Sequence, residues 1–91
     1  MINIELSKVE ESGEQFVVKS NTFEEESTAE ELYNTLTDEY ADQTLPFFDQ
    51  GEQLIRLDIV SPNNDAEEPK NQKECYFEYS EALLGSLYNR I

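Results

Sequence analysis

The chain contains no histidine and no tryptophan, and only one cysteine among its 91 residues. Without histidine, the usual general base and the commonest metal ligand are both missing. No serine or cysteine nucleophile can be activated by imidazole. Cys75 stands alone, so no intramolecular disulfide or thiolate metal cage can form. It lies in an apolar stretch with no base closer than Lys73, which marks a structural thiol rather than a nucleophile. The three glycines fall at 13, 51 and 85, too scattered for a phosphate-cradling loop. Hydrophobic runs stop at three residues, as in Phe16-Val17-Val18, so no segment reads as a membrane span. The opening Met1-Ile2-Asn3-Ile4-Glu5 lacks the basic start and apolar run of a signal peptide. A soluble cytoplasmic chain without a cofactor is the expectation, and an enzyme is not.

Basic residues are also scarce. Six Lys and Arg face 21 Asp and Glu, for a net charge of −15. Such a surface repels DNA, RNA and anionic membranes and favours basic partners. Leu, Ile, Val and Phe still make up about a quarter of the chain, above the roughly one-fifth below which highly charged chains are disordered. One small domain over residues 1–91 is expected.

Ile2, Ile4 and Leu6 alternate with polar residues, the period of a half-buried strand. Glu11-Ser12-Gly13 signals a turn, and Gln15 to Ser20 reads as the returning strand with Phe16 and Val18 inward. Ser27…Glu30 and Thr28…Glu31 both have capping-box spacing. The helix they introduce places Ala29, Leu32, Tyr33, Leu36 and Tyr40 on one face and ends near Asp42, before Pro46. Gln53 to Val60 alternates again, with Ile55, Leu57 and Ile59 inward and the Arg56/Asp58 charge pair outward. Ser61 to Lys73 is polar, carries two prolines, and reads as a flexible surface loop. Glu74 to Tyr79 forms the next strand, with Cys75, Phe77 and Tyr79 on one face. Ser80 caps a last helix with Leu83, Leu84, Leu87, Tyr88 and Ile91 as its apolar positions. The expected fold is α+β, ordered β-β-α-β-β-α: a four-stranded, mainly antiparallel sheet with two helices on one face. A faint echo links Gly13-Glu14-Gln15 with Gly51-Glu52-Gln53, and Leu32-Tyr33-Asn34 with Leu87-Tyr88-Asn89. The offsets differ, which speaks against duplicated halves.

The EF-hand spacing is absent, and the Asn63-Asn64-Asp65 and Glu67-Glu68 cluster lacks a glycine for a coordination turn, so no metal site is expected. The acids are nevertheless unevenly placed. Between Lys19 and Arg56 lie 36 residues with no base and ten acids: Glu24, Glu25, Glu26, Glu30, Glu31, Asp38, Glu39, Asp42, Asp49 and Glu52. At about 100° per residue from Leu32, Glu31, Asp38 and Asp42 fall near 240–280°, opposite the apolar face. A solvated helix usually mixes signs, because opposite charges one turn apart help. Carboxylates one turn apart are roughly 5–6 Å from each other, on the scale of phosphates along a strand. A rigid acidic ridge can therefore fill a groove built for nucleic acid. Phe47 and Phe48 would supply apolar contacts there or pack in the core.

These ten acids are thus the candidate partner-binding residues. The expected function is a small acidic inhibitor, acting as a nucleic-acid mimic on a basic nucleic-acid-binding protein such as a nuclease or a CRISPR or restriction component. In size and acidity the chain is similar to phage and mobile-element anti-defence proteins, including anti-restriction and anti-CRISPR proteins, a likeness of class without a shared motif. It would act as a monomer or small homo-oligomer. An immunity protein against a basic nuclease toxin, or an acidic adaptor or assembly domain, would share this composition. Charge serving solubility alone is the remaining account, but −15 exceeds the magnitude of about 2–8 adequate for a small domain.

Overall fold

The alternating segments build the framework. The computed structural model describes residues 2–46, 51–61 and 70–91. Its elements are β1 (Ile2–Val9), β2 (Gln15–Phe23), α1 (Glu26–Glu39), a short 3-10 turn (Ala41–Gln43), β3 (Thr44–Leu45), β4 (Leu54–Ser61), β5 (Lys70–Glu78) and α2 (Glu81–Arg90). The sheet has five strands in the order β2-β1-β4-β5-β3, and every neighbouring pair is antiparallel. The α+β class agrees with the sequence, but the strand number does not. The extra strand, β3, is two residues long and pairs with Tyr76 and Phe77. Two residues carry no measurable periodicity, so this strand leaves no pattern to read.

Register explains the core. Ile4 pairs with Ile59 and Leu6 with Leu57, while Ile55 pairs with Phe77 and Leu57 with Cys75. These positions share one face of the sheet, since side chains alternate along a strand. Ala29, Tyr33 and Leu36 of α1, and Leu83 and Leu87 of α2, join them in a single buried cluster. Both helices therefore cover the same face. Each large side chain buried there contributes roughly 1.5–3 kcal/mol relative to exposure.

Turns and caps fix the element ends. The Glu10 amide donates to the Glu14 carbonyl at 2.8 Å and the Gly13 amide to the Glu10 carbonyl at 2.8 Å, closing the β1–β2 hairpin. Gly13 and Gly51 have φ of +89° and +96°, a region where a side chain is strained. Each leads into a strand, so the Gly-Glu-Gln echo reflects one turn device used twice. The second echo has no such basis, because Tyr33 is buried and Tyr88 is exposed. Ser80 caps α2 as expected, its Oγ accepting from the Leu83 amide at 3.0 Å.

Several local expectations fail. Helix α1 starts at Glu26 with Glu25 as its cap residue and no side-chain cap bond. Neither Ser27 nor Thr28 caps it. Both lie within its first turn, where carboxylates suit the positive end of the helix dipole. The helix stops at Glu39 rather than near Asp42, because the chain tightens into a 3-10 turn after Tyr40. Strand β2 runs on to Phe23, and Phe16 and Val18 are not buried: they are 47% and 37% exposed. Leu6 pairs with Lys19 and Ser7 with Val17, so Val18 is an extra residue that breaks the alternation. Ser61 closes β4, and Lys70 to Lys73 belong to β5, pairing back as far as Ser61 with Lys70. These ends of the expected loop are strand. The rest of that loop lies outside the described residues, with Asn63, Asn64, Asp65, Glu67 and Glu68, as do Phe47, Phe48 and Asp49.

Candidate functional site

Nine of the ten candidate acids lie among the described residues, spread over several elements. Glu24 and Glu25 sit in the link between β2 and α1. Glu26, Glu30, Glu31, Asp38 and Glu39 lie on α1, with Glu30 half-buried and the other four exposed. Asp42 is exposed but belongs to the 3-10 turn, so the expected stripe keeps only Glu31 and Asp38 on the helix itself. Glu52 stands exposed in the turn before β4.

The cations leave this region almost untouched. Lys8 pairs with Glu10 at 3.2 Å, and Arg56 pairs with Asp58 at 2.7 Å and Glu74 at 2.6 Å. The Lys19 ammonium donates to the Tyr88 carbonyl at 2.8 Å and lies 4.5 Å from the Tyr88 ring centroid. A cation placed there meets the negative end of α2. Arg90 pairs with Glu39, which removes that residue from the uncompensated set. Among the described residues, none of Glu24, Glu25, Glu26, Glu30, Glu31, Asp38, Asp42 or Glu52 has an ion-pair partner. Among the described residues, the absence of counter-charge noted in the sequence thus persists for these eight acids after folding brings distant residues together.

Beside this ridge runs an open groove of about 360 Å³, lined by Phe23, Thr28, Glu31, Leu32 and Thr35. Thr28, Leu32 and Thr35 lie on one flank of α1, and Phe23 faces them from the end of β2. Phe23 and Leu32 are half-buried and pack against the edge of the core. The Thr35 hydroxyl donates to the Glu31 carbonyl at 2.8 Å, and among the described residues the Glu31 carboxylate is the only charged group in the lining. Sequence reading missed Phe23 because the strand was ended at Ser20, and it assigned Thr28 to a cap. The signal available was the continuation Asn21-Thr22-Phe23, whose aromatic residue returns to the inward side of β2 opposite Ile2.

A second polar group lies on the other face of the sheet. Arg56 donates through Nε to Asp58 and through Nη2 to Glu74, and reaches Gln15 at 3.4 Å. Its guanidinium also lies 5.5 Å from the Tyr76 ring centroid. Asp58 pairs across the ladder with Glu5 on one side and Glu74 on the other. Burial pushes the Asp58 carboxyl up, and Glu74 and Glu5 add to this, while Arg56 pulls it down without cancelling the rise. The expected Arg56/Asp58 pair is present, but its extension to Glu74 depends on a register that the sequence does not display. Each nitrogen of the Arg56 guanidinium already has a protein acceptor, which makes this cluster structural.

Cys75 is half-buried against the core, and burial raises its thiol above the ordinary value. A raised thiol is a poor nucleophile at neutral pH. Among the described residues, no group of three or more Cys, Asp or Glu is arranged to hold a metal ion. No helix among them is long and apolar enough to cross a membrane. Compared with protein-family models, with curated proteins and with solved structures, the chain finds no match.

Proposed function

We propose that this chain is a small, non-catalytic acidic inhibitor that mimics nucleic acid and occupies the basic groove of a nucleic-acid-binding protein in the cytoplasm. The target would be a nuclease or a CRISPR or restriction component, and the source a phage or mobile element. One observation carries the reading. Among the described residues, the acids of the α1 region other than Glu39 have no ion-pair partner, while Lys8 and Arg56 pair with acids elsewhere, Arg90 takes Glu39, and Lys19 is held by α2. Uncompensated like charges on one helix lower stability by a few tenths of a kcal/mol per pair. A basic partner offsets that cost on binding, and electrostatic complementarity speeds association with it.

The test is charge reversal at Glu31 and Asp38 of α1 and at Asp42 in the 3-10 turn that follows it. The triple variant Glu31→Lys, Asp38→Lys, Asp42→Lys keeps every buried contact of α1, because all three side chains are exposed. The unmodified chain, immobilised, is expected to retain nucleic-acid-binding proteins from a bacterial lysate and to release them to added DNA or RNA. The triple variant should lose at least about tenfold in affinity for the same proteins. Glu78→Lys, on β5, should lose much less. Equal retention by the triple variant, or retained proteins indifferent to added nucleic acid, would overturn the reading.

A further inference from the structure

We propose that the groove between Phe23 and the flank of α1 is a socket for one long basic side chain, an arginine or lysine, of a protein partner. The proposal rests on the reading of a basic partner above and specifies where that partner inserts. The lining sets two requirements. Phe23 and Leu32 offer apolar surface, while Glu31 offers an anion with no ion-pair partner among the described residues. A purely apolar occupant would strip water from that carboxylate without replacing it, which is unfavourable. A bare cation would leave Phe23 and Leu32 in water. A methylene stem ending in a charge satisfies both, since Lys and Arg lay their stems on apolar surface and keep the charged head at a polar rim. The Phe23 ring adds a face on which a cation is attracted. Charge complementarity decides the sign of the occupant, because Glu24 and Glu25 follow Phe23 directly and no base occurs between Lys19 and Arg56. A volume of about 360 Å³ falls near the lower end of ligand pockets, suited to a side chain and too small for a docked helix.

The test uses three probes and amide NMR of the labelled chain. The peptide acetyl-Gly-Arg-Gly-amide carries stem and charge. Acetyl-Gly-norleucine-Gly-amide carries the stem alone, and guanidinium chloride the charge alone. The arginine peptide is expected to shift the amides of Phe23, Thr28, Glu31, Leu32 and Thr35 in a saturable way. The other two should shift them at least about fivefold more weakly at equal concentration. Glu31→Gln should weaken the arginine peptide roughly fivefold, and Thr28→Trp, which fills the groove and keeps the charge, should abolish the shifts. Equal binding of the norleucine peptide would make the groove merely apolar and overturn the proposal. Equal binding of guanidinium, or shifts spread over all the acids, would make it merely acidic and overturn it as well. The two readings fail separately. Specific peptide binding in a chain that never competes with nucleic acid leaves the socket standing and removes the mimicry. Competition that Thr28→Trp does not weaken leaves the mimicry standing and removes the socket.

Discussion

Asp58 shows how one residue carries opposing terms. Its carboxyl is 4% exposed and bonded to Arg56 at 2.7 Å, yet its affinity for a proton is raised because loss of water outweighs the guanidinium. A carboxyl raised in the fold binds its proton more tightly there than in the unfolded chain. Its contribution to stability is therefore present at low pH and lost as pH rises from the ordinary carboxylate range through the folded value. Asp58→Asn keeps an acceptor for Arg56 and removes the titration. The variant is expected to match the parent in melting temperature near pH 3.5 and to gain on it as pH rises to 7. Thermal melts of both proteins across that range check the sign. A variant that falls further behind as pH rises would mean that the ion pair outweighs burial. The charge pair itself was legible, because Arg56 and Asp58 stand two apart in an alternating strand. The burial that perturbs Asp58 was not, since it depends on Glu5 and Glu74 from neighbouring strands.

At the scale of elements, period and cap chemistry were legible where local forces and packing agree. In α2, Ser80 caps and Leu83 and Leu87 are buried, as the spacing requires. Ser80→Ala removes the acceptor of the Leu83 amide and should cost about 1 kcal/mol. That corresponds to a fall of roughly 4–8 °C in melting temperature for a domain of this size. An unchanged melt would show that packing alone sets the start of this helix. In α1 the apolar face was legible, but its ends were not. Two capping-box spacings competed, and the structure uses neither, because a chain of carboxylates from Glu24 to Glu26 supplies the charge that the first turn favours. The exit of Asp42 from the ridge follows from the tightening after Tyr40, which no spacing announces. In β2 the bulge at Val18 takes that residue out of the alternation, while Phe16 keeps the face of Lys8 and Ile55 but stays exposed there. Phe16, Val17 and Val18 are left exposed on an edge strand whose bulge discourages pairing with another chain.

For the whole molecule the net charge of −15 acts on two equilibria in opposite directions. Within the fold, excess carboxylates repel one another, and salt relieves that repulsion, with a screening length of about 10 Å at 0.1 M. Between the fold and a basic partner, the same salt screens an attraction. Melting temperature is therefore expected to rise as sodium chloride is increased from 0.02 to about 0.5 M, while affinity for the partner falls over the same range. The pair of slopes says more than either alone. Solubility as the sole role of the charge predicts the first slope and no partner for the second. Apolar docking through exposed residues such as Phe16 and Val17 predicts an affinity that salt leaves unchanged or strengthens. Reversing Glu31, Asp38 and Asp42 lowers the net charge to −9, so that variant should melt higher at low salt and show a shallower salt dependence. Calorimetry of parent and variant at the two salt extremes checks this. A parent whose melting is insensitive to salt would mean that the ridge carboxylates are too far apart to repel, and the strain that a basic partner is supposed to relieve would not exist.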